Sequence, residues 1–439
     1  MNRLSTRDRM LVGLTLFSMF FGAGNLIFPP YLGAMSGTRM PLALLGFAIT
    51  AIGFPILGVI AVARSGSLDR LASRVHPVFS KVFTLLIYLS IGPCLAIPRT
   101  ASTSFEMAVT PFLPDLSSKA LFQLIYSILF FAVAFYVSLS PEKLTNLLGR
   151  FTSPCLLILI GVVFVGCLLN PAGSYGASYG AYAQSPILQG FLDGYLTMDA
   201  IAALNFGIVI ALNINNRGVT EPSAVVKEIT RAGWMAGVIF LAVYGAIAHV
   251  GAIAGDAFGE MADGTQALQA ITGYLFGNAG IILLGLIFLL ACLNTCIGLI
   301  SCCSEYFSQI LPRFSQRQWA FFFAFVSMII SNAGLSAILA VSVPVLSMIY
   351  PVAIVLILLS FWDGARKRRL VYPLSIALTG ITSVIVVLAT GGFMTIPVLT
   401  TFLMDSLPAV VRELLWVGPA LIGILLGWIL SPASDTETA

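Results

Sequence analysis

Residues 17–33 read FSMFFGAGNLIFPPYLG and place several helix-breaking residues inside a long apolar stretch. In a continuous helix the N–H groups of residues 29 and 30 would donate to the carbonyl oxygens of Asn25 and Leu26. Both positions are proline, which has no N–H group, so these carbonyls lose their helical partners. Backbone groups freed in an apolar solvent persist only where they are buried in protein or line a cavity. The segment therefore predicts either a ligand site or a proline-kinked helix with closely packed glycines.

The same segment indicates which ligand such a break would suit. Gly22 and Gly24 allow the backbone to leave helical geometry and allow a ligand to approach closely. Carbonyl oxygens at the end of the inner half-helix suit a cation or an ammonium group, and N–H groups at the start of the outer half-helix suit a carboxylate. A zwitterionic amino acid carries both groups. Asn25 is a candidate cap for the outer half-helix.

A second interrupted segment, 190-GFLDGYLTMDAIAALNFG-207, carries carboxylates inside an apolar stretch. A carboxylate deep in a membrane costs about 2.5–3.5 kcal/mol on insertion scales, so Asp199 is expected to face the interior. It is a candidate for binding an ammonium group, a cation or a proton, and equally for capping a helix break. Thr197 and Met198 are candidate pocket residues, since they offer an oxygen and an adaptable apolar wall.

Two further segments carry polar residues in apolar surroundings. In 90-SIGPCLAIPRTASTSFEMAV-109, Arg99 and Glu106 are two helical turns apart, so both can lie on one face. Arg99 is interpreted as a gate of the extracellular pathway or as an ion-pair partner of Glu106 or Asp199. In 290-LACLNTCIGLISCCSEYF-307 one helical face carries oxygen-bearing groups that suit either a sodium ion or polar packing, namely Ala291, Asn294 and Thr295.

Composition places these segments in a lipid bilayer. The chain has 439 residues, of which 59% are hydrophobic and 9% charged, whereas a soluble domain has roughly 25% charged residues. Long uncharged stretches, divided at glycine, proline and asparagine clusters, predict twelve spanning helices of about 20 residues each. The predicted spans are 10–34, 41–63, 79–104, 119–138, 150–169, 187–215, 230–253, 275–306, 318–332, 335–360, 370–391 and 412–431, with an additional interfacial helix considered at 394–411.

The basic residues predict the orientation. They concentrate at the N-terminus and in alternate loops, which the positive-inside bias places in the cytoplasm together with both termini. This cytoplasmic set comprises Arg3, Arg7, Arg9, Arg64, Arg70, Arg74, Lys81, Lys143, Arg150, Arg217, Lys227, Arg231, Arg313, Arg317, Arg366, Lys367, Arg368 and Arg369.

The interrupted segments are spans one and six, and this offset indicates two five-helix repeats of opposite topology. The first repeat is predicted at 1–169 and the second at 187–360. Helices eleven and twelve follow at 370–431, with a short cytoplasmic tail at 432–439. The fold class is thus an all-α membrane protein of about twelve helices.

Other classes of function are disfavoured by what the sequence lacks. No Walker A motif is present, so this chain does not use ATP directly for transport. The two histidines, His76 and His249, and the seven cysteines lack metal-ligand spacing. We therefore predict no enzyme activity and no cofactor. A passive channel remains an alternative, and it predicts flux that does not saturate and no uphill accumulation.

The stretches FFGAGNLIFPPYLG, SIGPCLAIPRTA and GYLTMDAIAALNFG, in this order, resemble the bacterial branched-chain amino acid transport carrier family. The resemblance covers nearly the whole chain. It implies a leucine-transporter-like fold and cation-coupled symport of leucine, isoleucine and valine. It also implies a sodium ion held by the carbonyls of Ser18 and Phe21 and by Ala291, Asn294 and Thr295. The implied substrate-binding residues are Phe20, Phe21, Gly22, Ala23, Gly24, Asn25, Tyr195, Thr197, Met198, Asp199 and Ala200.

Together these observations predict a bacterial inner-membrane symporter that imports branched-chain amino acids with sodium by alternating access. The alternative coupling is to protons through Asp199 or Glu106. The expected partners are a small-molecule amino acid and the lipid bilayer, without nucleic acid and without an obligate protein partner.

Overall fold

A computed structural model of the chain describes residues 3–113, 118–139, 150–391 and 407–432, and the regular structure within these ranges is helical. The first part of the chain contains helices α1 (Thr6–Phe20), α2 (Ala23–Ser36), α3 (Met40–Ala48), α4 (Phe54–Ser65), α5 (Leu68–Ser73), α6 (Pro77–Leu89), α7 (Ala96–Ala108), α8 (Lys119–Ser138) and α9 (Ser153–Leu169). Lys143, the stretch 394–406 and residues 433–439 lie outside the described residues.

The second part begins with two short helices and continues with several long ones. Its helices are α10 (Gly180–Gln184), α11 (Pro186–Asp193), α12 (Asp199–Asn216), α13 (Pro222–Phe258), α14 (Gly264–Phe276), α15 (Asn278–Ile310), α16 (Gln316–Ser331), α17 (Leu335–Ser360), α18 (Asp363–Arg366), α19 (Val371–Thr390), α20 (Ala409–Glu413) and α21 (Val417–Leu430).

Ten helical stretches among the described residues are long and apolar enough to cross a membrane. The all-helical membrane fold is therefore confirmed, whereas the count of twelve spans and the boundaries of the two repeats stay predictions. The predicted ninth span corresponds to α16, which has 16 residues and is not among these ten stretches. The region 254–274, which lies between two predicted spans and was expected to be a loop, instead contains the end of α13 and most of α14. The acidic side chain of Asp263 caps α14 by accepting from the N–H groups of Thr265 and Gln266.

Both predicted helix breaks are present. The first lies between α1 and α2, where Phe21 and Gly22 have extended backbone angles. It does not lie at the prolines, because Pro29 and Pro30 fall inside α2, which continues to Ser36. The prolines therefore do not end the helix, although they still offer no N–H group to the carbonyls of Asn25 and Leu26.

The second break lies between α11 and α12. A single 3₁₀ turn, Gly194–Thr197, follows α11, and Met198 then has a left-handed φ of 71°. Left-handed backbone is unusual for a residue with a long side chain and is typically found at functional sites. A further distortion separates α6 from α7, where a π-turn at Ser90–Cys94 includes the non-helical Gly92.

The half-helix α2 is held against α13 by small residues. A Cβ atom at Gly33 would lie 1.9 Å from the carbonyl oxygen of Ala248, and one at Gly251 would lie 2.0 Å from that of Pro30. The two backbones are therefore in direct contact, as in other closely packed membrane helices. A side chain at either glycine would force the helices apart.

Ion pairs fix the start of α1 to the neighbouring helices. Arg9 of α1 and Arg231 of α13 both pair with Glu228, at 2.8 and 2.6 Å. Arg217, directly after α12, pairs with Asp8 at 2.5 Å. Glu221 caps the start of α13 and forms none of these ion pairs. Hydrogen bonds from the Ser223 hydroxyl and the Ala224 N–H hold the pKa of its carboxyl below its usual value. Helix α1 and the end of α12 are thus joined at the same end of the bundle.

Candidate functional site

The two helix breaks meet around one buried cavity of about 30 Å³. A Cβ atom at Gly24 would lie 2.9 Å from the Cα of Thr197, so the breaks are in van der Waals contact. Helices α7 and α15 complete the wall. The lining residues that the sequence also predicted are Phe20, Gly22, Ala23, Gly24, Asn25, Arg99, Thr197, Met198, Asp199 and Thr295.

Asn25 joins the first break to the second. Its side-chain oxygen accepts a hydrogen bond from the N–H of Gly22 at 2.9 Å, so it caps α2 as the sequence suggested. Its amide nitrogen donates to the Asp199 carboxylate at 2.5 Å and lies 2.6 Å from the Tyr244 hydroxyl. This one amide therefore stabilises the start of α2 and fixes α2 relative to α12.

Asp199 is the first residue of α12 and is 3% exposed. Its carboxylate accepts hydrogen bonds from the side chains of Asn25 and Tyr244, the latter at 3.4 Å. The position at a helix N-terminus also favours a negative charge. Asp199 thus provides the carboxylate that lines the cavity.

The second break is held by side chains from other helices. The Tyr350 hydroxyl of α17 accepts a hydrogen bond from the N–H of Ala200 at 3.1 Å. The Thr197 hydroxyl donates to the carbonyl of Gly194 at 2.9 Å. The left-handed Met198 therefore lies between two anchored segments, which compensate for its backbone strain.

Arg99 does not form the ion pair with Glu106 that the sequence suggested. Its guanidinium donates to the carbonyls of Leu196 and Thr197, at 3.0 and 3.4 Å. Glu106 instead pairs with Lys119 at 2.8 Å. The two charges are on one helix but point to different neighbours, because Arg99 is drawn to the carbonyls freed at the second break. Among the described residues Arg99 forms no salt bridge with Asp199 either.

A group of oxygen-bearing side chains lies where α15 meets the end of α1. The Asn294 amide donates to the Ser18 hydroxyl at 2.9 Å. The buried Thr295 hydroxyl has no hydrogen-bond partner among the described residues, and a Cβ atom at Gly22 would lie only 2.7 Å from it. The last carbonyls of α1 have no partners within their own helix. An unsatisfied buried oxygen beside such carbonyls fits a hard cation such as sodium.

Seven predicted site residues do not line the cavity, and two of them, Ser18 and Asn294, contact each other at the end of α1. Phe21 stacks on Phe17 with ring centroids 4.9 Å apart, Tyr195 stacks on Tyr350 at 4.6 Å, and Ala200 and Ala291 are packed in the core. Glu106 also lies elsewhere, in its pair with Lys119. The structure thus brings the predicted segments together at one cavity, whereas the sequence could not tell which side chains within them line it.

Part of the apolar wall was missed by sequence reasoning. The additional lining residues are Met19, Ile91, Ala96, Thr100, Ala202, Phe206 and Leu299. Helical spacing from Asp199 could have found two of them, because Ala202 and Phe206 follow it by three and seven residues. The others lie on α1, α15 and the region around α7, where nothing in the sequence distinguishes lining from packing residues.

Two helices broken at a shared buried cavity define the class of broken-helix secondary transporters. The fold agrees with solved structures of that class. Across 98% of this chain it is similar to the closed conformation of the nucleobase-cation-symport-1 family transporter Mhp1, with a TM-score of 0.60, 16% identity and 95% of that chain covered. A Na⁺-coupled sialic acid symporter in its outward-open state gives a TM-score of 0.65 over 98% of this chain and 91% of its own, at 13% identity.

Sequence comparison then identifies the family. Residues 5–434 match the model for branched-chain amino acid transport proteins. The chain is 39% identical over 430 residues to the branched-chain amino acid permease BraB of Bacillus subtilis, covering 98% of this chain and 96% of the relative. The chain belongs to the branched-chain amino acid transport protein family, a family of membrane permeases and not of enzymes.

Proposed function

We propose that this protein imports leucine, isoleucine and valine together with sodium, by alternating access around the cavity between the two breaks. The observation that carries the proposal is the contact of both breaks at a cavity that contains one carboxylate, from Asp199, and one guanidinium, from Arg99. A zwitterion with an aliphatic side chain matches such charges and the apolar wall around them.

The substrate requires more room than this conformation provides. A cavity of about 30 Å³ accommodates one or two water molecules, whereas a leucine molecule is several times larger. Binding therefore requires the breaks to separate, and release to the other side requires a second rearrangement. A site at the junction of two broken helices suits this requirement, because each half-helix can move about its break.

Sodium is the proposed coupling ion. The support is the unpartnered Thr295 hydroxyl beside the end of α1, together with the contact between Asn294 and Ser18. Under this proposal the carbonyls of Ser18, Phe21 and Ala291 add further oxygen ligands. The ion would then lie next to Gly22, close to the substrate, and its positive charge would favour binding of the substrate carboxylate. We further propose that both termini lie in the cytoplasm, on the inner side of a bacterial inner membrane.

Uptake of labelled leucine by purified protein in lipid vesicles tests this function. We expect uphill accumulation when an inward sodium gradient is imposed, and competition by unlabelled isoleucine and valine. Affinities for the three should be similar, because one methylene in an apolar pocket is worth only about 1–3 kcal/mol. Accumulation that follows a proton gradient and ignores sodium would overturn the coupling proposal.

Proton coupling through Asp199 is the second candidate, and one observation favours it. Asp199 is buried in the cavity without a salt bridge among the described residues. Glu106 suits the role less, because it is paired with Lys119 and partly exposed. If protons drive uptake through Asp199, Asp199→Asn should abolish accumulation while leaving exchange of internal for external leucine intact.

A further inference from the structure

The cavity wall contains one buried cationic side chain, that of Arg99, which is not needed to form either helix break. Arg99 is 5% exposed, lies in the membrane-embedded part of the fold and lines the cavity. Among the described residues it forms no salt bridge. A buried charge without a direct ion-pair partner is unfavourable in a bilayer, and Asp199, which lines the same cavity, attracts the guanidinium without forming a salt bridge with it. The two backbone carbonyls that Arg99 contacts satisfy its hydrogen bonds only in part, since a guanidinium has five N–H donors.

The position of Arg99 indicates what kind of group would pair with it directly. A Cβ atom at Gly24 would lie 3.1 Å from its Nη2 atom, so the guanidinium lies against the first turn of α2. That turn is the positive end of a 14-residue helix. Two independent positive groups thus converge at one point of the wall.

Asp199 also contacts the first turn of α2, but through other donors. It accepts hydrogen bonds from Asn25 and Tyr244 rather than from Arg99. The two charged side chains that line the cavity thus belong to separate hydrogen-bond networks and form no salt bridge with each other among the described residues. The guanidinium therefore keeps N–H donors that can bind a further carboxylate directly.

We infer that Arg99 binds the α-carboxylate of the substrate and makes a free carboxylate a requirement for recognition. This inference rests on the proposed function. Arginine presents a planar pair of donors that matches a carboxylate in a two-point contact. Because Arg99 also bonds to Leu196 and Thr197, carboxylate binding would be sensed directly by the second break. Arg99 would then determine specificity and would also link substrate binding to movement of α11 and α12 about the second break.

The test compares leucine with leucinamide, in which a neutral carboxamide replaces the carboxylate at nearly the same size. Competition against labelled leucine gives the inhibition constant of each compound. For the wild-type protein we expect leucinamide to bind roughly 100-fold more weakly, as is typical when one partner of a buried charged pair is removed. Equal binding of the two compounds by the wild-type protein would overturn the inference without any variant.

Substitution of Arg99 then assigns the discrimination to this side chain. In Arg99→Gln the leucine affinity should fall while that for leucinamide changes little, so that the ratio of the two constants approaches one. Arg99→Lys should retain an intermediate ratio, because it keeps the charge but not the two-point geometry. If Arg99 only stabilises the broken helix, both compounds should weaken together and the ratio should stay at its wild-type value, which would contradict the inference.

Lys119→Gln is the matched control, because it removes a cation that pairs with α7 outside the cavity. Both inhibition constants should stay within about threefold of wild type, as expected for a partly exposed ion pair. Failure of the inference is distinguishable from failure of the proposed function. Saturable leucine transport with no discrimination against leucinamide overturns only the carboxylate assignment, whereas absence of leucine binding to the wild-type protein overturns both.

Discussion

The two breaks that form the cavity are built in different ways. In the first, Phe21 and Gly22 have ordinary negative φ values of −72° and −126°, and Asn25 caps the helix that follows. In the second, a 3₁₀ turn leads into Met198, whose φ of 71° is left-handed without the help of a glycine. One break depends on the absence of side chains, and the other depends on outside contacts that hold a strained backbone.

The difference explains the glycines of the first break. Gly22 does not require a glycine for its backbone conformation, since its φ is negative. It requires one because a Cβ atom would lie 2.7 Å from the Thr295 hydroxyl oxygen. Gly24 likewise allows close contact with Thr197. The two glycines are therefore needed because neighbouring helices pack closely against the break, and less because the backbone bends there.

The largest effect is expected for Gly24→Ala. The added methyl group would lie 2.9 Å from the backbone of Thr197, which cannot rotate away. Overpacking of this kind costs about 1–3 kcal/mol. Because Gly24 also lines the cavity, the methyl group would occupy space that the substrate needs, so leucine affinity should fall by roughly 10- to 100-fold. Gly245→Ala is the control, because its nearest neighbour would be the Leu44 side chain at 3.9 Å. If both variants bind leucine like wild type, the two breaks are not in functional contact.

A smaller and more selective effect is expected at Thr295. Removal of its hydroxyl in Thr295→Ala should raise the sodium concentration for half-maximal uptake by about tenfold, as for a lost interaction with a charged group. The rate at saturating sodium should change little. Thr295→Ser keeps the oxygen and should stay close to wild type. If the sodium dependence of Thr295→Ala is unchanged, Thr295 is not a sodium ligand, and the proposed ion site beside the first break is wrong.

The smallest effect is expected for Pro29→Ala. Although alanine restores an N–H group that can bond to the Asn25 carbonyl, α2 already continues through this position and the proline does not line the cavity. Leucine uptake should stay within about threefold of wild type, as for changes away from the special features of a fold. A loss as large as that of Gly24→Ala would show that the carbonyl freed by the proline is itself a ligand.

The positions of the two breaks could be predicted from the sequence because helix breakers in an apolar stretch are a local signal. The cap by Asn25 is also local, since it lies three residues from the N–H that it satisfies. The prolines do not mark the break itself, because they lie inside α2. Local rules describe what a residue disfavours, whereas tertiary contacts decide where the helix opens.

The remaining features depend on residues far apart in the chain. Tyr244 and Tyr350 hold Asp199 and Ala200 from other helices, and neither lies in a recognisable motif. Arg99 and Glu106 fit an ion pair by spacing, yet Lys119 and the carbonyls of the second break provide closer partners. Helical periodicity restricts which residues share a face but does not determine which neighbour that face meets.

The central claim is that the ion and the amino acid bind at adjoining points of the two breaks. Equilibrium binding of leucine to the purified protein, measured in sodium and in potassium at equal ionic strength, tests it most directly. We predict that sodium tightens leucine binding by a factor of roughly 5–150, and that leucine tightens sodium binding by the same factor, as thermodynamic linkage requires. Identical leucine affinity in the two salts would contradict the account.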